Sequence, residues 1–197
     1  MIYLNCHTEK LDLNEALSLV SPQRREQVLR YVKESDRRLS LAAYLLLQQA
    51  LREEYGIIDS LHFGFGPHGK PFLKDYPHIH FNLSHCPGTA LCVVSDTPVG
   101  CDIECVPPVL DDDLCRWVCS DQELAQIRQS ACPTVAFTRL WTRKEAFLKF
   151  TGEGLTDHLK KLLLLPEAKA VSLETVKAPD DTWVYTVCRP IQTQRCH

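Results

Sequence analysis

The chain has 197 residues, of which 45% are hydrophobic and 24% are charged, and its formal net charge is -3. This length fits one domain or two small halves on one core, and the hydrophobic fraction is enough to bury that core. No strongly basic stripe occurs, which argues against a general nucleic-acid-binding protein. A local basic pocket for a phosphorylated small molecule is still compatible with this balance.

Ten cysteines would suit a disulfide framework, but charges follow soon after residues 1–5, so no secretory signal is recognisable. No C-x-x-C pair occurs, and the nearest spacings, Cys101/Cys105 and Cys115/Cys119, disfavour a zinc module. We expect most cysteines to act as small buried hydrophobic side chains in a reducing cytoplasm. The longest aliphatic run, 162–165, is too short to span a membrane.

The first sixty residues predict a strand at 2–4 followed by helices. Ser21-Pro22 is a typical helix start, and 36–55 has a wide apolar face, which indicates a helix packed against a sheet. The basic residues between them form either a solvated helix face or an anion-binding group. They are Arg24, Arg25, Arg30, Lys33, Arg37 and Arg38.

A β-rich region follows, and helices return near residue 111. Strands are predicted at 61–65, 79–83, 90–95 and 99–106, with turns or loops at 66–71, 84–88 and 96–98. Ser120 and Glu123 form a capping box at one helix start, and another helix begins after Pro133. The segments 170–176 and 183–188 are predicted strands.

Strand alternation puts Asp102 and Glu104 on one face, while Cys101, Ile103 and Cys105 point towards a core. Two neighbouring carboxylates repel each other unless a cation or basic group lies between them. Hard cations such as Mg²⁺ bind carboxylates of this kind and keep positions for water and phosphate. The pair indicates either a divalent-metal site or the polar outer face of an edge strand.

The helix after Pro133 carries a second charged group. Glu145 and Lys149 are four residues apart, so a helix places them on one face, beyond Trp141. Gly152 and Gly154 predict where this helix ends. A solvated ion pair is the common explanation of this spacing, and a third carboxylate for the acidic pair is the alternative.

Two polar turns are compatible with anion binding. Ser84 and His85 follow a predicted strand and suit a phosphate, although such a pair is usually only a strand end. Gly69-Lys70-Pro71 is a stiff turn with one ammonium group, and alone it is a generic turn. No G-x-S-x-G motif occurs, so a serine hydrolase is disfavoured.

Together and in this order, these motifs resemble the Sfp-type 4′-phosphopantetheinyl transferases. The resemblance covers about residues 21–155 and includes Ser21-Pro22 with the basic helix after it and the apolar helix after Asp36, but its main support is four stretches in the family's order and spacing. They are Gly69-Lys70-Pro71, Phe81-Asn82-Leu83-Ser84-His85, Val99-Gly100-Cys101-Asp102-Ile103-Glu104, and Trp141-Thr142-Arg143-Lys144-Glu145-Ala146 with Lys149, continued by Gly152-Glu153-Gly154-Leu155.

The resemblance implies an α+β fold that is a single-chain pseudo-dimer of two similar halves, each a long helix packed on a small antiparallel sheet. We expect an N-terminal half at 1–97, on the coenzyme A nucleotide side, and a C-terminal half at 98–197 with the metal site and catalytic helix. The implied enzyme moves 4′-phosphopantetheine from coenzyme A to a serine of an apo acyl or peptidyl carrier protein, releasing adenosine 3′,5′-bisphosphate.

The resemblance also implies roles for single residues. Asp102, Glu104 and Glu145 would hold Mg²⁺, or alternatively Mn²⁺, against the pyrophosphate. Glu145 would be the base for the carrier serine, directly or through a metal-bound water, and Lys149 would stabilise charge on the phosphoryl group. The expected catalytic residues are Glu145, Lys149 and Asp102. The expected coenzyme A-binding residues are Ser84, His85 and Arg24 at the 3′-phosphate, Gly69 and Lys70 at the adenine, and Lys149.

Three positions depart from the family pattern. Gln27 stands where many relatives have a basic residue, Leu39 where an arginine is frequent, and Cys86 where serine or glutamine is usual. A non-catalytic relative that binds coenzyme A or a carrier protein is one alternative, although the intact acidic residues argue against it. An unrelated Mg²⁺-dependent phosphohydrolase is another, but no P-loop or aspartyl-nucleophile motif occurs.

As partners we expect coenzyme A and an apo carrier protein, with neither nucleic acid nor membrane. We expect the protein to act as a monomer in the cytoplasm.

Overall fold

A computed structural model describes residues 1–154 and 158–191. It combines α-helices with antiparallel sheets, so the expected α+β class is confirmed. The α-helices are α1 (Leu13–Ser18), α2 (Pro22–Leu29), α3 (Glu34–Tyr55), α4 (Asp112–Val118), α5 (Asp121–Gln129) and α6 (Pro133–Thr151). The strands are β1 (Ile2–Asn5), β2 (Phe63–Phe65), β3 (Pro71–Leu73), β4 (His80–Cys86), β5 (Thr89–Ser95), β6 (Gly100–Cys105), β7 (Val171–Lys177) and β8 (Trp183–Pro190). Leu155, expected to continue the motif after α6, lies outside the described residues.

The first sheet has the order β1-β5-β4, and both pairs of neighbours are antiparallel. Helix α3 packs across it, and its fully buried residues Leu47, Ala50 and Leu51 share a core with Val94 of β5. The wide apolar face of the helix therefore has the role predicted for it. The helix ends at Gly56, whose φ of 69° lies in the left-handed region that favours glycine.

The second sheet has the order β6-β8-β7 and is also antiparallel. Helix α6 packs on it, and its residues Phe147 and Leu148 share a core with Cys188 of β8. Pro133 lies in the first turn, where its missing N–H is no loss. Gly152 ends the helix with a φ of 74°, as the sequence predicts.

Helix α6 is anchored to α4 and α5 by Lys144, whose side chain is completely buried. Its ammonium group donates to the carbonyl oxygen of Val118 and to Oε2 of Glu123, both at 2.8 Å. Glu123 also completes the predicted capping box with Ser120 at the start of α5. One carboxylate therefore caps α5 and neutralises a buried cation.

Strands β4 and β6 lie edge to edge and run in the same direction, although they belong to different sheets. Oδ1 of Asn82 accepts a hydrogen bond from the backbone nitrogen of Cys101 at 2.7 Å. Oγ of Ser84 accepts one from the backbone nitrogen of Ile103 at 3.2 Å. Side-chain oxygens of β4 thus accept the backbone N–H groups of β6, which backbone carbonyl oxygens would accept if the two strands belonged to one sheet. We call this junction the β4–β6 seam.

Strands β2 and β3 form a small antiparallel hairpin. Gly69, in the loop between them, has a φ of 83°, a conformation that favours glycine. The ammonium group of Lys70 donates to the carbonyl oxygens of Val99 at 3.0 Å and Phe150 at 3.1 Å. The loop is therefore attached to the end of α6 and to the residue just before β6.

Two local predictions are wrong. Strand β4 does not end before Ser84 but continues to Cys86, because these residues pair with residues 89–91 in an antiparallel hairpin. Pro71, which the sequence predicts in a loop, begins β3 instead. A proline is tolerated as the first residue of a strand, since no ladder hydrogen bond from its nitrogen is needed there.

Within residues 1–154 and 158–191, no helix is long and apolar enough to cross a membrane. In the same ranges six cysteines are buried and none forms a disulfide. Those six thiols occupy core positions, as expected of small hydrophobic side chains.

Candidate active site

Helix α6 presents Trp141, Glu145 and Lys149 on one face, each about one turn after the last. All three line a cavity of about 460 Å³, together with Asp102 and Glu104 from β6. The fold therefore brings three carboxylates to one cavity although β6 and α6 are distant in the chain.

The approach of β6 to α6 depends on Gly100. A Cβ atom at this position would overlap the carbonyl oxygen of Ala146 and the backbone nitrogen of Phe150. Only glycine lets the strand backbone come this close to the helix. The close contact sets Asp102, two residues further on, against the polar face of α6.

Asp102 is 2% exposed. Its Oδ1 accepts hydrogen bonds from Nζ of Lys149 at 2.6 Å and from Oγ of Ser84 at 2.9 Å. Its Oδ2 is buried and has no hydrogen-bond partner among the residues that the structure describes. A buried carboxylate oxygen without a partner is unfavourable unless a cation binds it. This atom therefore marks a place where a cation fits.

The other two carboxyl groups, those of Glu145 and Glu104, have raised pKa values. Oε1 of Glu145 is buried without a partner in the described part of the chain, and burial, followed by the charge of Asp102, raises the pKa of Glu145. Oε1 of Glu104 accepts a hydrogen bond from Nε1 of Trp141 at 3.3 Å. Burial and then Asp102 raise the pKa of Glu104 to about 7. The charge of Asp102 opposes the ionisation of Glu104 and Glu145, and a divalent cation would relieve that repulsion.

Lys149 provides a positive charge next to the carboxyl groups of the cavity. Burial is the largest single effect and lowers its pKa, but the charge of Asp102, the charge of Cys101, the hydrogen bond to Asp102 and the charge of Glu145 together outweigh burial, so the pKa of Lys149 is raised. Its ammonium group has three donors, of which two point to Asp102 and to Oγ of Ser84, the latter at 3.0 Å. These contacts leave a third N–H for a ligand in the cavity.

The donor set suits a hard divalent cation, because it consists of carboxylate oxygens and two of these are buried without partners in the described ranges. Even so, no three histidine, cysteine, aspartate or glutamate side chains within 1–154 and 158–191 form a ready-made metal-binding group. The residues therefore fit Mg²⁺ or Mn²⁺ in their chemistry, and their side chains would have to close around the ion.

Ser84 and His85 follow each other on β4 and face different surroundings, as strand alternation requires. The Ser84 side chain is buried and contacts Asp102 and Lys149. His85 is exposed at the edge of the cavity. Partial burial, followed by the charge of Lys149, lowers the pKa of His85 and favours its neutral form.

Arg24 reaches the same cavity from α2. Its Nη2 donates to the carbonyl and hydroxyl oxygens of Ser40, both at 2.8 Å. Its guanidinium carbon lies 4.8 Å from the ring centre of Tyr44. A guanidinium held over an aromatic ring and anchored on α3 is well placed to meet an anion.

Gly69 and Lys70 approach from another side of α6. They line a cavity of about 370 Å³ that also contains Glu145, Lys149 and Gly152. The Lys70 ammonium group donates to two carbonyl oxygens, which leaves one of its three N–H groups for an anion. The turn therefore contributes to this cavity through its shape and through this one donor.

Two family models match adjacent parts of the chain. The model of the 4′-phosphopantetheinyl transferase superfamily matches residues 98–188, and the model of the N-terminal part of 4′-phosphopantetheinyl transferase matches residues 7–97. The 4′-phosphopantetheinyl transferase AcpT of Salmonella typhi is 32% identical over 184 residues, which cover 90% of each chain. The 4′-phosphopantetheinyl transferase psf-1 of Bacillus pumilus is 30% identical over 185 residues, 86% of this chain and 78% of that protein.

The 4′-phosphopantetheinyl transferase Sfp of Bacillus subtilis strain 168 is 28% identical over 158 residues, 79% of this chain and 70% of that protein. The chain belongs to the Sfp-type 4′-phosphopantetheinyl transferase family. The resemblance drawn from the motifs is confirmed, and so is the expectation of an enzyme of the phosphopantetheinyl transferase class.

The departures from the phosphopantetheinyl transferase pattern have clear positions. Oε1 of Gln27 lies 3.5 Å from Nη1 of Arg24, so Gln27 contacts the retained arginine instead of adding a second charge. Leu39 is partly buried on α3. Cys86 is buried in a core with Cys101. The cysteine that stands in place of the usual polar residue is therefore part of the core.

Three residues that support the phosphopantetheinyl transferase cavity were missed in the sequence. Gly100 and Asn82 belong to the recognised motifs, but their contacts arise only once β6 meets α6 and β4. Tyr44, which lies against Arg24, has the pattern of an ordinary apolar residue on α3. A cation–π contact between two helices leaves no local signal in a sequence.

Proposed function

We propose that this enzyme transfers 4′-phosphopantetheine from coenzyme A to a serine hydroxyl of an apo acyl or peptidyl carrier protein, releasing adenosine 3′,5′-bisphosphate, with Mg²⁺ as the cofactor. The observation that carries the proposal is the grouping of Glu145, Asp102, Glu104 and Lys149 around one cavity. The names of the relatives support the same reaction class.

Asp102, Glu104 and Glu145 are the proposed ligands of Mg²⁺, or of Mn²⁺ in its place. The unpaired buried oxygens of Asp102 and Glu145, as described for residues 1–154 and 158–191, support this assignment. When bound, the ion supplies positive charge to the pyrophosphate of coenzyme A and to the leaving phosphate.

Glu145 is the proposed base for the carrier serine. Its raised pKa favours this role, because a more basic carboxylate takes up the hydroxyl proton more readily. The third N–H of Lys149 is the proposed donor to the transferring phosphoryl group. Since the other two donors hold Lys149 in place, little reorganisation is needed when charge develops on that group.

The nucleotide part of coenzyme A is proposed to bind next to α2 and β4. Arg24 and His85 are the proposed ligands of the 3′-phosphate, whereas the hydroxyl group of Ser84, expected beside them, is bonded to Asp102 and Lys149. Gly69 and Lys70 are proposed to line the adenine. Arg24 supports this placement because it faces both the main cavity and a neighbouring cavity of about 290 Å³ beside the β2–β3 hairpin.

We also infer a pseudo-dimer with halves at 1–97 and 98–197. In each half the central strand of the sheet is the third in chain order: β5 lies between β1 and β4, and β8 between β6 and β7. In each half the long helix lies between the first and second of these strands in the chain. Because both halves line the cavity, a single chain is sufficient, and we propose a monomer that acts in the cytoplasm, where coenzyme A is available.

The test is to incubate the protein with coenzyme A, Mg²⁺ and an apo carrier protein and to measure the carrier mass. The wild type should add one phosphopantetheine arm. Glu145→Gln should lower the rate by about 100-fold or more, and Asp102→Ala should abolish transfer. Glu167→Gln, a change at an exposed carboxylate outside the cavity, is the control and should keep full activity. If the wild type binds coenzyme A but leaves every apo carrier unchanged, the protein is a binding relative and the proposal fails.

A further inference from the structure

The hydroxyl group of Ser84 takes part in three hydrogen bonds inside the protein. It donates to Oδ1 of Asp102 at 2.9 Å. It accepts from Nζ of Lys149 at 3.0 Å and from the backbone nitrogen of Ile103 at 3.2 Å. These partners come from β6 and α6, so one oxygen atom of β4 connects the three elements.

A serine hydroxyl has one proton to donate and two lone pairs to accept with. In Ser84 the proton goes to a carboxylate and both lone pairs receive N–H donors. A phosphate is an acceptor and would need that single proton. Binding the phosphate would take it from Asp102, a buried carboxylate whose Oδ2 already has no partner in the described residues. The hydroxyl is therefore saturated before any ligand arrives.

The same bonds fix the geometry of two other groups. The proton of Ser84 and the ammonium group of Lys149 both meet Oδ1 of Asp102, which leaves Oδ2 as the oxygen available to a cation. Ser84 also holds Lys149 at a second point, so the lysine cannot rotate freely about its contact with the carboxylate. The bond from Ile103 keeps the hydroxyl itself in place.

We propose that Ser84 is a positioning residue that holds Asp102 and Lys149 in their reactive arrangement, and that it does not bind the 3′-phosphate of coenzyme A. This inference rests on the proposed function, because the arrangement has a reactive meaning only in that transfer. The neighbouring His85, exposed at the edge of the cavity, is left as the residue of β4 that meets the phosphate.

The test compares two donors, coenzyme A and 3′-dephospho-coenzyme A, in Ser84→Ala and His85→Ala. Removing Ser84 should lower kcat by about 10- to 100-fold with either donor, the effect of losing hydrogen bonds to charged groups. The KM for coenzyme A and the preference for coenzyme A over the dephospho form should stay at wild-type values. His85→Ala should instead raise the KM for coenzyme A and reduce that preference.

Asn82→Ala is the matched control for structural damage. It removes the other side-chain bond of the β4–β6 seam, to Cys101, without removing a hydrogen bond to Asp102 or Lys149. It should lower the melting temperature, and its kcat per folded molecule should fall less than that of Ser84→Ala. If Ser84→Ala keeps the wild-type kcat, or if it loses the preference for coenzyme A as His85→Ala does, the positioning role is refuted.

A second measurement needs no variant. In ¹⁵N-labelled wild-type protein, the amide signal of Ile103 reports its bond to Ser84. Adenosine 3′,5′-bisphosphate and adenosine 5′-phosphate should leave this signal at the same position, while the signal of His85 should differ between them. A shift of Ile103 that appears only with the 3′-phosphate would overturn the proposal. This binding measurement decides the role of Ser84 even if the wild type transfers nothing, in which case only the proposed function has failed.

Discussion

Nζ of Lys149 lies 2.6 Å from Oδ1 of Asp102, in an ion pair whose carboxylate side chain is 3% exposed and whose lysine side chain is 30% exposed. The pair joins α6 to β6 next to the other two carboxyl groups of the cavity. Removing one partner leaves an uncompensated charge in poorly solvated surroundings, whereas removing both does not. Stability and activity should therefore respond differently to changes at these two positions.

Lys149→Met should lower the free energy of unfolding by about 2–3 kcal/mol, less than for a fully buried pair because the lysine reaches solvent. Asp102→Asn should also destabilise the protein. The double variant should recover about 1–2 kcal/mol relative to the sum of the single changes, yet all three variants should lack transferase activity. Urea unfolding at pH 7.5 without divalent metal gives the stabilities. Simple additivity of the two losses would contradict the ion pair.

Gly100→Ala should destabilise the protein by about 3 kcal/mol or more, because the added methyl group overlaps the backbone of α6 and the helix must move. Activity should fall with it, since α6 carries Glu145 and Lys149. Gly66→Ala is the matched control: the nearest atom to its new Cβ would be the carbonyl oxygen of Lys70 at 3.6 Å, an ordinary contact. Thermal unfolding of both variants checks this, and equal effects would refute the close approach.

Lys70→Met keeps the alkyl chain but removes the ammonium group that donates to Val99 and Phe150. The free energy of unfolding should fall by about 1.5–3 kcal/mol, the range for hydrogen bonds to a charged group. The KM for coenzyme A should rise more than kcat falls, because the hairpin loop loses its attachment. Lys161→Met, at an exposed position, is the control. An unchanged KM would mean that the loop does not shape the nucleotide side.

The pKa of Glu104 is raised from 4.5 to about 7 in the folded protein by burial, by Asp102 and by Glu145, against the opposing effects of Trp141 and Lys149. Between pH 4.5 and about pH 7, Glu104 therefore keeps its proton in the folded protein but has lost it in the unfolded chain. Stability from this group is complete below about pH 4.5 and is lost as the pH rises to about 7. The metal-free melting temperature should decrease over this window.

Glu104→Gln should flatten that decrease, and Glu167→Gln should not. Added Mg²⁺ should raise the melting temperature of the wild type most at the alkaline end, where Glu104 has lost its proton. Scanning fluorimetry with chelator and with Mg²⁺ measures both effects. A wild-type curve that is flat between pH 5 and pH 8 would show that the pKa of Glu104 is not raised in the folded protein.

Much of this fold can be predicted from local patterns. The apolar face of α3, the capping box of Ser120 and Glu123, and the helix between Pro133 and Gly152 each follow from residues close together in the chain. Helix α1 has no predicted counterpart, because six residues are too few for a clear helical period. The end of β4 was misplaced because its pairing with β5, a contact between two strands, extends it.

The site divides in the same way. The spacing of Glu145 and Lys149 and the alternation around Asp102 predict side chains that share a face. The hydrogen bonds from Lys149 to Asp102 and Ser84 cannot be predicted from residue spacing, because they form only where β4, β6 and α6 meet. The hydrogen bonds from the Lys70 ammonium group to the carbonyl oxygens of Val99 and Phe150 cannot be predicted for the same reason, because these residues are distant in the chain.

The β4–β6 seam has a consequence for how the enzyme can change. Backbone hydrogen bonds between strands form with almost any sequence, but the contact between β4 and β6 depends on the side chains of Asn82 and Ser84. Substitutions of these two residues can therefore alter the angle between the sheets, and with it the width of the cavity, while the backbone hydrogen bonds within each sheet stay unchanged. The width of the cavity between the two sheets is therefore adjustable independently of the sheets themselves.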